Sequence, residues 1–116
     1  MTTGYEVVAH HQPETAVIVL TGQVDREAAA NIAAAYDNAA ATNPTTVVLD
    51  FTTVDYINST GIALIVSLLG RARAEGRAVH AAGLTEHYRH IFDITRLSDF
   101  IQVFSDVDAA VGSATS

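Results

Sequence analysis

The sequence contains no cysteine and no lysine, and it has no long apolar run. Without cysteine the chain can form no disulfide, thiolate nucleophile or cysteine-based metal site. Its longest apolar stretch is far shorter than the ~18 residues that a membrane-spanning helix needs, so we expect no membrane span. The first residues, MTTGYEVVAHH, lack the basic and apolar regions of a signal peptide. Together these absences predict a cytoplasmic protein.

Positive charge is also scarce, because the six basic residues are all arginine and are spread along the chain. Against 13 acidic residues they leave a formal net charge of −7. Nucleic-acid binding usually requires a basic stripe, so we expect no direct nucleic-acid partner. An acidic surface also disfavours anionic lipid. The hydrophobic fraction of 49% is typical of a globular chain, and 116 residues allow one domain.

Apolar runs alternate with helix-start signals along the chain. Strands are predicted at residues 5–11, 15–21, 45–50, 78–82 and 101–104, and helices at 26–41, 62–74, 85–94 and 107–111. The short turn at 12–14 predicts an antiparallel hairpin of the first two strands, and the alternation that follows predicts a mostly parallel sheet. The fold class is therefore α/β, in the order β-β-α-β-α-β-α-β-α. We expect a single domain over residues 1–116, with a core from about 5 to 111 and a short flexible tail at 112–116.

Local capping signals support these helices. Asp25, Thr85 and the pair Ser105–Asp106 precede predicted helices and carry the side-chain oxygens that cap a helix N-terminus. Gly76 follows the helix at 62–74 and suits a left-handed C-cap.

The stretch from Asp50 to Gly70 joins a predicted buried strand to an apolar helix through a short polar loop. Asn58, Ser59 and Thr60 stand where the helix should begin, and a serine or threonine there is expected to cap it. The predicted core face of this helix consists of Ile62, Ile65, Val66, Leu68, Leu69 and Ala72. The opposite side carries a small-residue stripe, which we define as Ala63, Ser67, Gly70 and Ala74. Such a stripe allows close approach of another surface, although an alanine-rich chain can also place small residues there without a function.

The residues give little support for an enzyme. The run from Ile57 to Gly61 is similar to the G-x-S-x-G nucleophile elbow, but that sharp turn needs a small residue in place of Ile57. His87 and His90 are three apart on a predicted helix without a third ligand on their face, which favours surface histidines. Asp50 and Asp55 flank the loop after a predicted strand, where a magnesium-binding phosphatase or a receiver domain keeps carboxylates, but a receiver also needs a lysine late in the chain. We therefore expect no enzyme activity, no metal and no cofactor. At this level Ser59 remains either a helix cap or a functional hydroxyl.

A longer motif is more specific. The stretch LDFTTVDYINSTGIALIVSLLGRARAEGRAV resembles the signature of the STAS domain of bacterial anti-sigma factor antagonists. That pattern is a strand ending in Asp, followed by x-x-V-x-[FY]-[ILM]-[DN]-S-[ST]-G-[IL] leading into a helix. This sequence supplies Asp50, Val54, Tyr56 and the whole run from Ile57 to Ile62. The earlier segment LTGQVD, which ends at Asp25, resembles the family's L-x-G-x-[LIV]-D motif, so the resemblance covers nearly the whole chain.

The resemblance implies an anti-sigma factor antagonist that regulates transcription indirectly. In that family the unphosphorylated protein binds an anti-sigma factor, a GHKL-type serine kinase, and so releases the sigma factor. The kinase phosphorylates the serine at the position of Ser59, with Thr60 as a minor candidate here, and this breaks the complex until a serine phosphatase restores it. The partner-binding residues implied on this chain are Asp25, Asn58, Ser59, Thr60, Gly61, Ala63, Ser67 and Gly70.

One residue departs from the pattern of many regulated members, which carry Asp immediately before the phosphorylated serine, where this chain has Asn58. Two alternatives therefore stay open. One is a STAS scaffold or adaptor in a stressosome-like or lipid-transport complex, and the other is a nucleotide- or lipid-binding module without a phospho-switch. A weak homodimer is a further expectation.

Overall fold

The computed structural model describes residues 5–9 and 15–115, with side chains described over 15–112. The strands in that part of the chain are β1 (Tyr5–Ala9), β2 (Thr15–Val24), β3 (Thr46–Ile57), β4 (Ala78–Ala82) and β5 (Gln102–Phe104). The helices are α1 (Arg26–Ala40), α2 (Ser59–Ala74), α3 (Glu86–Ile94) and α4 (Val107–Thr115), with a 3-10 turn at Leu97–Asp99. The strands form one sheet in the order β1-β2-β3-β4-β5, which is also their order along the chain.

The sheet is parallel from β2 to β5, and the prediction of a mostly parallel α/β sheet is confirmed. Each of these strands connects to the next through a helix, which supplies the long crossover that parallel strands need. β1 lies antiparallel to β2, with Tyr5 opposite Leu20. The predicted turn at 12–14 lies outside the described residues.

Helices cover the two faces of the sheet unequally. The larger core packs α1, α2 and α3 against one face, where Ile18, Leu49 and Phe92 are almost completely buried. α4 covers the other face, with Ala110 and Val111 against the central strands. Because three consecutive crossover helices share one face, the helices that follow β2 and β3 lie side by side on that face.

Two strand ends were predicted wrongly. β2 continues past Thr21 to Val24, and β3 continues past Asp50 to Ile57, where a polar loop was expected. The two extensions pair with each other, with Val24 opposite Ile57, so each gives the other backbone hydrogen-bond partners along one side. Gly22 lies within the extension of β2 and adopts a φ of +70° beside an irregularity in that ladder.

The capping predictions hold at three helices. The side chains of Asp25, Thr85 and Asp106 accept hydrogen bonds from the backbone N–H groups three residues later. Gly76 has the expected left-handed conformation, with a φ of +76°. The helix predicted at 107–111 is longer in the structure, because α4 continues from Val111 through Thr115. A glycine inside a helix costs only about 1 kcal/mol, so Gly112 does not end it.

A polar cluster around Glu75 links the C-terminal end of α2 to α1. The Tyr36 hydroxyl donates to Glu75 at 2.8 Å, and the Arg77 and Arg71 side chains form ion pairs with the same carboxylate at 3.1 and 3.3 Å. The hydrogen bond from Tyr36, followed by that from Arg77, lowers the pKa of Glu75. Burial and the bond to Glu75 raise the pKa of Tyr36.

Candidate functional site

Two helix N-termini meet at one edge of the sheet. β2 and β3 are parallel neighbours, and each leads within two residues into its helix, so α1 and α2 begin side by side. Asp25 caps α1 and Asn58 caps α2. The Asn58 backbone N–H donates to the Val24 carbonyl oxygen at 3.2 Å, which joins the start of α2 to the end of β2. The structure thus brings together Asp25 and the Asn58–Gly61 segment.

The cap of α2 is Asn58, not a hydroxyl residue as predicted. The Asn58 side-chain oxygen accepts from the Gly61 N–H at 2.8 Å. Asparagine is among the best N-caps, and Ser59 and Thr60 fall one and two residues too late, inside the first turn. Both hydroxyl residues are exposed. Ser59 therefore does not cap α2, and its exposed hydroxyl is available for a reaction.

Gly61 is required by a close approach between α2 and β2. A Cβ at this position would lie 2.8 Å from the Val24 carbonyl carbon and nearer still to its oxygen. Any larger residue would push the first turn of α2 away from the strand. Gly61 is itself buried, so it positions the Ser59 turn and does not itself face solvent.

The segment before the cap is held from the other side by α3. The hydroxyl of Tyr88 accepts a hydrogen bond from the buried Ile57 N–H at 3.0 Å. This bond fixes the last residue of β3 immediately before Asn58. Nothing in the local sequence of Tyr88 indicates that its hydroxyl supports the site.

The exposed face of α2 begins at Ser59. At 100° per residue, Ser59, Ala63 and Gly70 lie within about 40° of one another around the helix axis. All members of the small-residue stripe are exposed. Val66 joins this face, since it is 49% exposed. Its assignment to the core was wrong, because it lies about 110° from the centre of the face that buries Ile65, Leu68, Leu69 and Ala72.

The electrostatics of the α2 N-terminus favour an anion. The backbone N–H groups of the first turn point out of the helix, and the helix dipole places partial positive charge there. The first turn of α2 carries no acidic residue. The turn around Ser59 therefore combines an accessible hydroxyl with a backbone suited to negative charge.

The histidines and the carboxylate of the other candidate sites lie on α3 and β3. His87 and His90 are both exposed on α3. Asp50, expected beside a loop, accepts hydrogen bonds from the N–H and hydroxyl of Thr52 at 2.9 and 2.6 Å. Within the described residues there is no cluster of three or more metal-ligating side chains. In the same part of the chain, no helix has the length and apolar character needed to cross a membrane.

Comparison with known proteins identifies relatives of this arrangement. The model of the family "Mlab, STAS domain" matches residues 7–103. An anti-sigma factor antagonist from Mycobacterium paratuberculosis superposes with a TM-score of 0.82 at 18% identity, covering 97% of this chain and 93% of that chain. The phosphorylated form of the Bacillus cell fate determinant SpoIIAA gives a TM-score of 0.73 at 20% identity, with coverages of 95% and 98%.

A third relative comes from another kind of protein. A sulfate transporter family protein from Wolinella succinogenes superposes with a TM-score of 0.78 at 16% identity, covering 88% of this chain and 85% of that chain. No curated protein matches the sequence. At identities this low, the solved structures show a shared fold alone.

Proposed function

Because this chain belongs to the STAS domain family, we propose that it is a cytoplasmic anti-sigma factor antagonist controlled by phosphorylation at Ser59. In the unphosphorylated form it binds a GHKL-type serine kinase that acts as the anti-sigma factor. Phosphorylation by that kinase ends binding, and a serine phosphatase restores it. The protein is a substrate and a binding partner in this cycle, not a catalyst.

The observation that carries the proposal is the exposed Ser59 hydroxyl in the first turn of α2, with Asn58 already serving as the cap. Because the Ser59 hydroxyl is not the cap of α2, a kinase can phosphorylate it without removing the capping bond. Thr60 is also exposed and is the minor candidate. Since Gly61 and Tyr88 hold this turn in place, the hydroxyl is presented on a rigid element.

The fold tolerates a phosphate at this position. A phosphoserine adds about −1.5 to −2 charge at neutral pH. In the first turn of α2 that charge meets outward-pointing N–H groups and the positive end of the helix dipole. We therefore expect the domain to keep its structure when Ser59 is phosphorylated.

The partner surface extends from Ser59 along the exposed face of α2, through Ala63, Ser67 and Gly70. Small side chains allow a partner helix or strand to approach the α2 backbone closely. A partner matched to the neutral Ser59 hydroxyl would have to bury a bulky dianion after phosphorylation. Burying an unpaired charge in an interface costs enough to lower affinity strongly. Asp25, at the adjacent helix start, adds a carboxylate to the rim.

The test is direct phosphorylation followed by binding. The protein is incubated with ATP and each GHKL-type kinase of the same genome, and intact mass reports a phosphate that Ser59→Ala loses and Thr60→Ala keeps. In a binding assay with the phosphorylating kinase, Ser59→Asp should weaken affinity at least about tenfold, while Ser59→Ala should bind like wild type.

Ser105→Asp is the matched control, because Ser105 is exposed and lies outside the α2 face. It adds the same charge and should leave kinase binding unchanged. If Ser59→Asp and Ser105→Asp bind every candidate kinase as well as wild type does, the phospho-switch is wrong.

A second candidate function is that of a STAS adaptor in a larger complex. The residue that favours this function is Asn58. Without the Asp that precedes the serine in many regulated relatives, α2 offers the same partner surface with a weaker signal for a kinase. An adaptor would form a stable complex that Ser59→Asp does not weaken. Light scattering coupled to size exclusion, on wild type and Ser59→Asp, separates this outcome from the switch and also reports any homodimer.

A further inference from the structure

A groove of about 580 Å³ lies between the second half of α2 and the 3-10 turn that precedes β5. Val66, Leu69 and Gly70 form one wall, and Leu97, Phe100 and Ile101 form the other. This volume falls within the range of small-molecule sites, which is about 300–1,000 Å³. The groove starts about 10 Å along α2 from Ser59, taking the rise of 1.5 Å per residue to Val66.

Large apolar side chains remain exposed at the groove. Phe100 is 60% exposed and Val66 is 49% exposed, and they stand on opposite walls. Contiguous exposed apolar surface on a small domain marks a binding site more often than scattered single residues do.

The charge at the groove is positive, although the chain as a whole carries −7. Arg77 and Arg96 line the groove but are paired, with Glu75 at 3.1 Å and Asp99 at 2.7 Å. Arg73 forms no ion pair with any residue that the structure describes. Its guanidinium carbon lies 5.9 Å from the centre of the Phe100 ring, at the boundary between the apolar wall and solvent. The uncompensated charge of the groove is therefore that of one guanidinium.

Gly70 keeps the groove open. It lies inside α2, where glycine is a poorer choice than any residue except proline. A Cβ at this position would meet nothing within 4 Å, so neither the backbone nor the packing of the domain requires glycine. The space that the missing side chain leaves is part of the groove.

We propose that this groove binds a free single-chain amphiphile that carries one anionic head group, such as a medium-chain carboxylate or alkyl phosphate. The alkyl chain lies between Leu69 and Phe100, above Gly70. The head group pairs with Arg73 at the open end. An apolar body with one negative charge matches an apolar groove with one unpaired cation. The proposal does not depend on phosphorylation of Ser59.

Decanoate is the probe, with decanol as its uncharged analogue. In an amide chemical-shift titration, decanoate should give saturable shifts at residues 69–73 and 97–102 and should raise the melting temperature. Ser59→Asp should bind decanoate like wild type. Ser59→Asp therefore separates the two proposals, because it should weaken kinase binding and leave decanoate binding unchanged.

Two variants separate the head-group contact from the groove itself. Arg73→Gln should weaken decanoate at least about tenfold and leave decanol unchanged, because only the ionised head group forms a charge-assisted hydrogen bond. Arg26→Gln is the matched control, since Arg26 is exposed at the start of α1 outside the groove and should have no effect. Gly70→Met fills the groove and should weaken both ligands at least tenfold, about 1.4 kcal/mol, in a protein whose melting temperature is not lowered.

Several results would overturn the proposal. These are the absence of saturable shifts with decanoate, equal decanoate affinity in wild type and Arg73→Gln, or undiminished binding by Gly70→Met. Vesicles of phosphatidylglycerol form the last arm of the experiment. Binding to vesicles without binding to free decanoate would replace the proposed ligand by a lipid surface and would also refute it.

Discussion

Replacing Asn58 with Asp tests the role assigned to the α2 cap and the effect of the one departure from the family pattern. The Asn58 side-chain oxygen accepts from the Gly61 N–H at 2.8 Å, and an aspartate oxygen can take the same position. Asparagine and aspartate are equally good N-caps, so the hydrogen bond should be kept. What Asn58→Asp adds is one negative charge at the N-terminus of a helix whose first turn has no acidic residue.

The expected gain follows from the helix dipole. A charge of the favourable sign in the first turn stabilises a folded protein by about 0.3–1 kcal/mol at low salt. We expect about 0.5 kcal/mol for Asn58→Asp, or roughly 2 °C in melting temperature for a domain of this size. Asn58→Ala removes the cap and leaves the N–H of the buried Gly61 without its partner. It should therefore lose about 1–2 kcal/mol.

The assay is equilibrium urea unfolding of wild type, Asn58→Asp, Asn58→Ala and the control Asn38→Asp. Asn38 is exposed in the last turn of α1, so the control makes the same chemical change at the opposite end of a helix. Both Asp variants change the net charge equally, but Asn38→Asp should lower the unfolding free energy slightly. At 1 M salt, where the Debye length is about 3 Å, the two should converge.

The reasoning would be refuted if Asn58→Asp lost as much stability as Asn58→Ala, because the cap would then not be the contact described. It would also be refuted if both Asp variants shifted stability by the same amount, since the effect would be one of net charge. A faster phosphorylation of Asn58→Asp by the cognate kinase would support the family role of that carboxylate.

The remaining predictions concern the two ends of α2. Gly61→Ala should lower the free energy of unfolding by at least about 2 kcal/mol in chemical unfolding, because its Cβ would collide with the Val24 backbone. Gly70→Ala should raise the free energy of unfolding by up to about 1 kcal/mol. Equal effects of the two variants would contradict the close approach at Gly61. Glu75→Gln should be less stable than wild type at pH 7. The lowered pKa of Glu75 means that its contribution is present above the ordinary carboxyl pKa of about 4.3 and disappears as pH falls through the lower folded value. A difference between wild type and Glu75→Gln that persisted at pH 2 would refute the link to the bond with Tyr36.

Local signals were sufficient for much of this fold. Asp25, Thr85 and Asp106 were recognised as caps because a cap depends on residues three positions away along the chain. The alternation of apolar runs with helices was enough to predict a parallel sheet, since such connections leave few arrangements open. The motif around Ser59 was also local, and it indicated the family before any contact was known.

Other features depended on partners far along the chain. The pairing of Val24 with Ile57 makes strands of segments that read as polar loop, and neither segment carries a signal for the other. The sequence shows that Val66 is apolar, which is why it was assigned to the core. It does not show where the centre of the buried face of α2 lies. Asn58 was available as a cap from its residue type, but the expectation of a hydroxyl cap placed the helix start too late.

The sequence by itself determined the secondary-structure order, most caps and the family motif, because these depend on residue type and short spacing. The tertiary structure decided that Ser59 is freed from capping, that Gly61 lies against the Val24 carbonyl, and that a groove with an unpaired Arg73 opens beyond Gly70. These features arise where segments distant in the chain come together. Their geometry depends on the packing of whole elements, which no local pattern specifies.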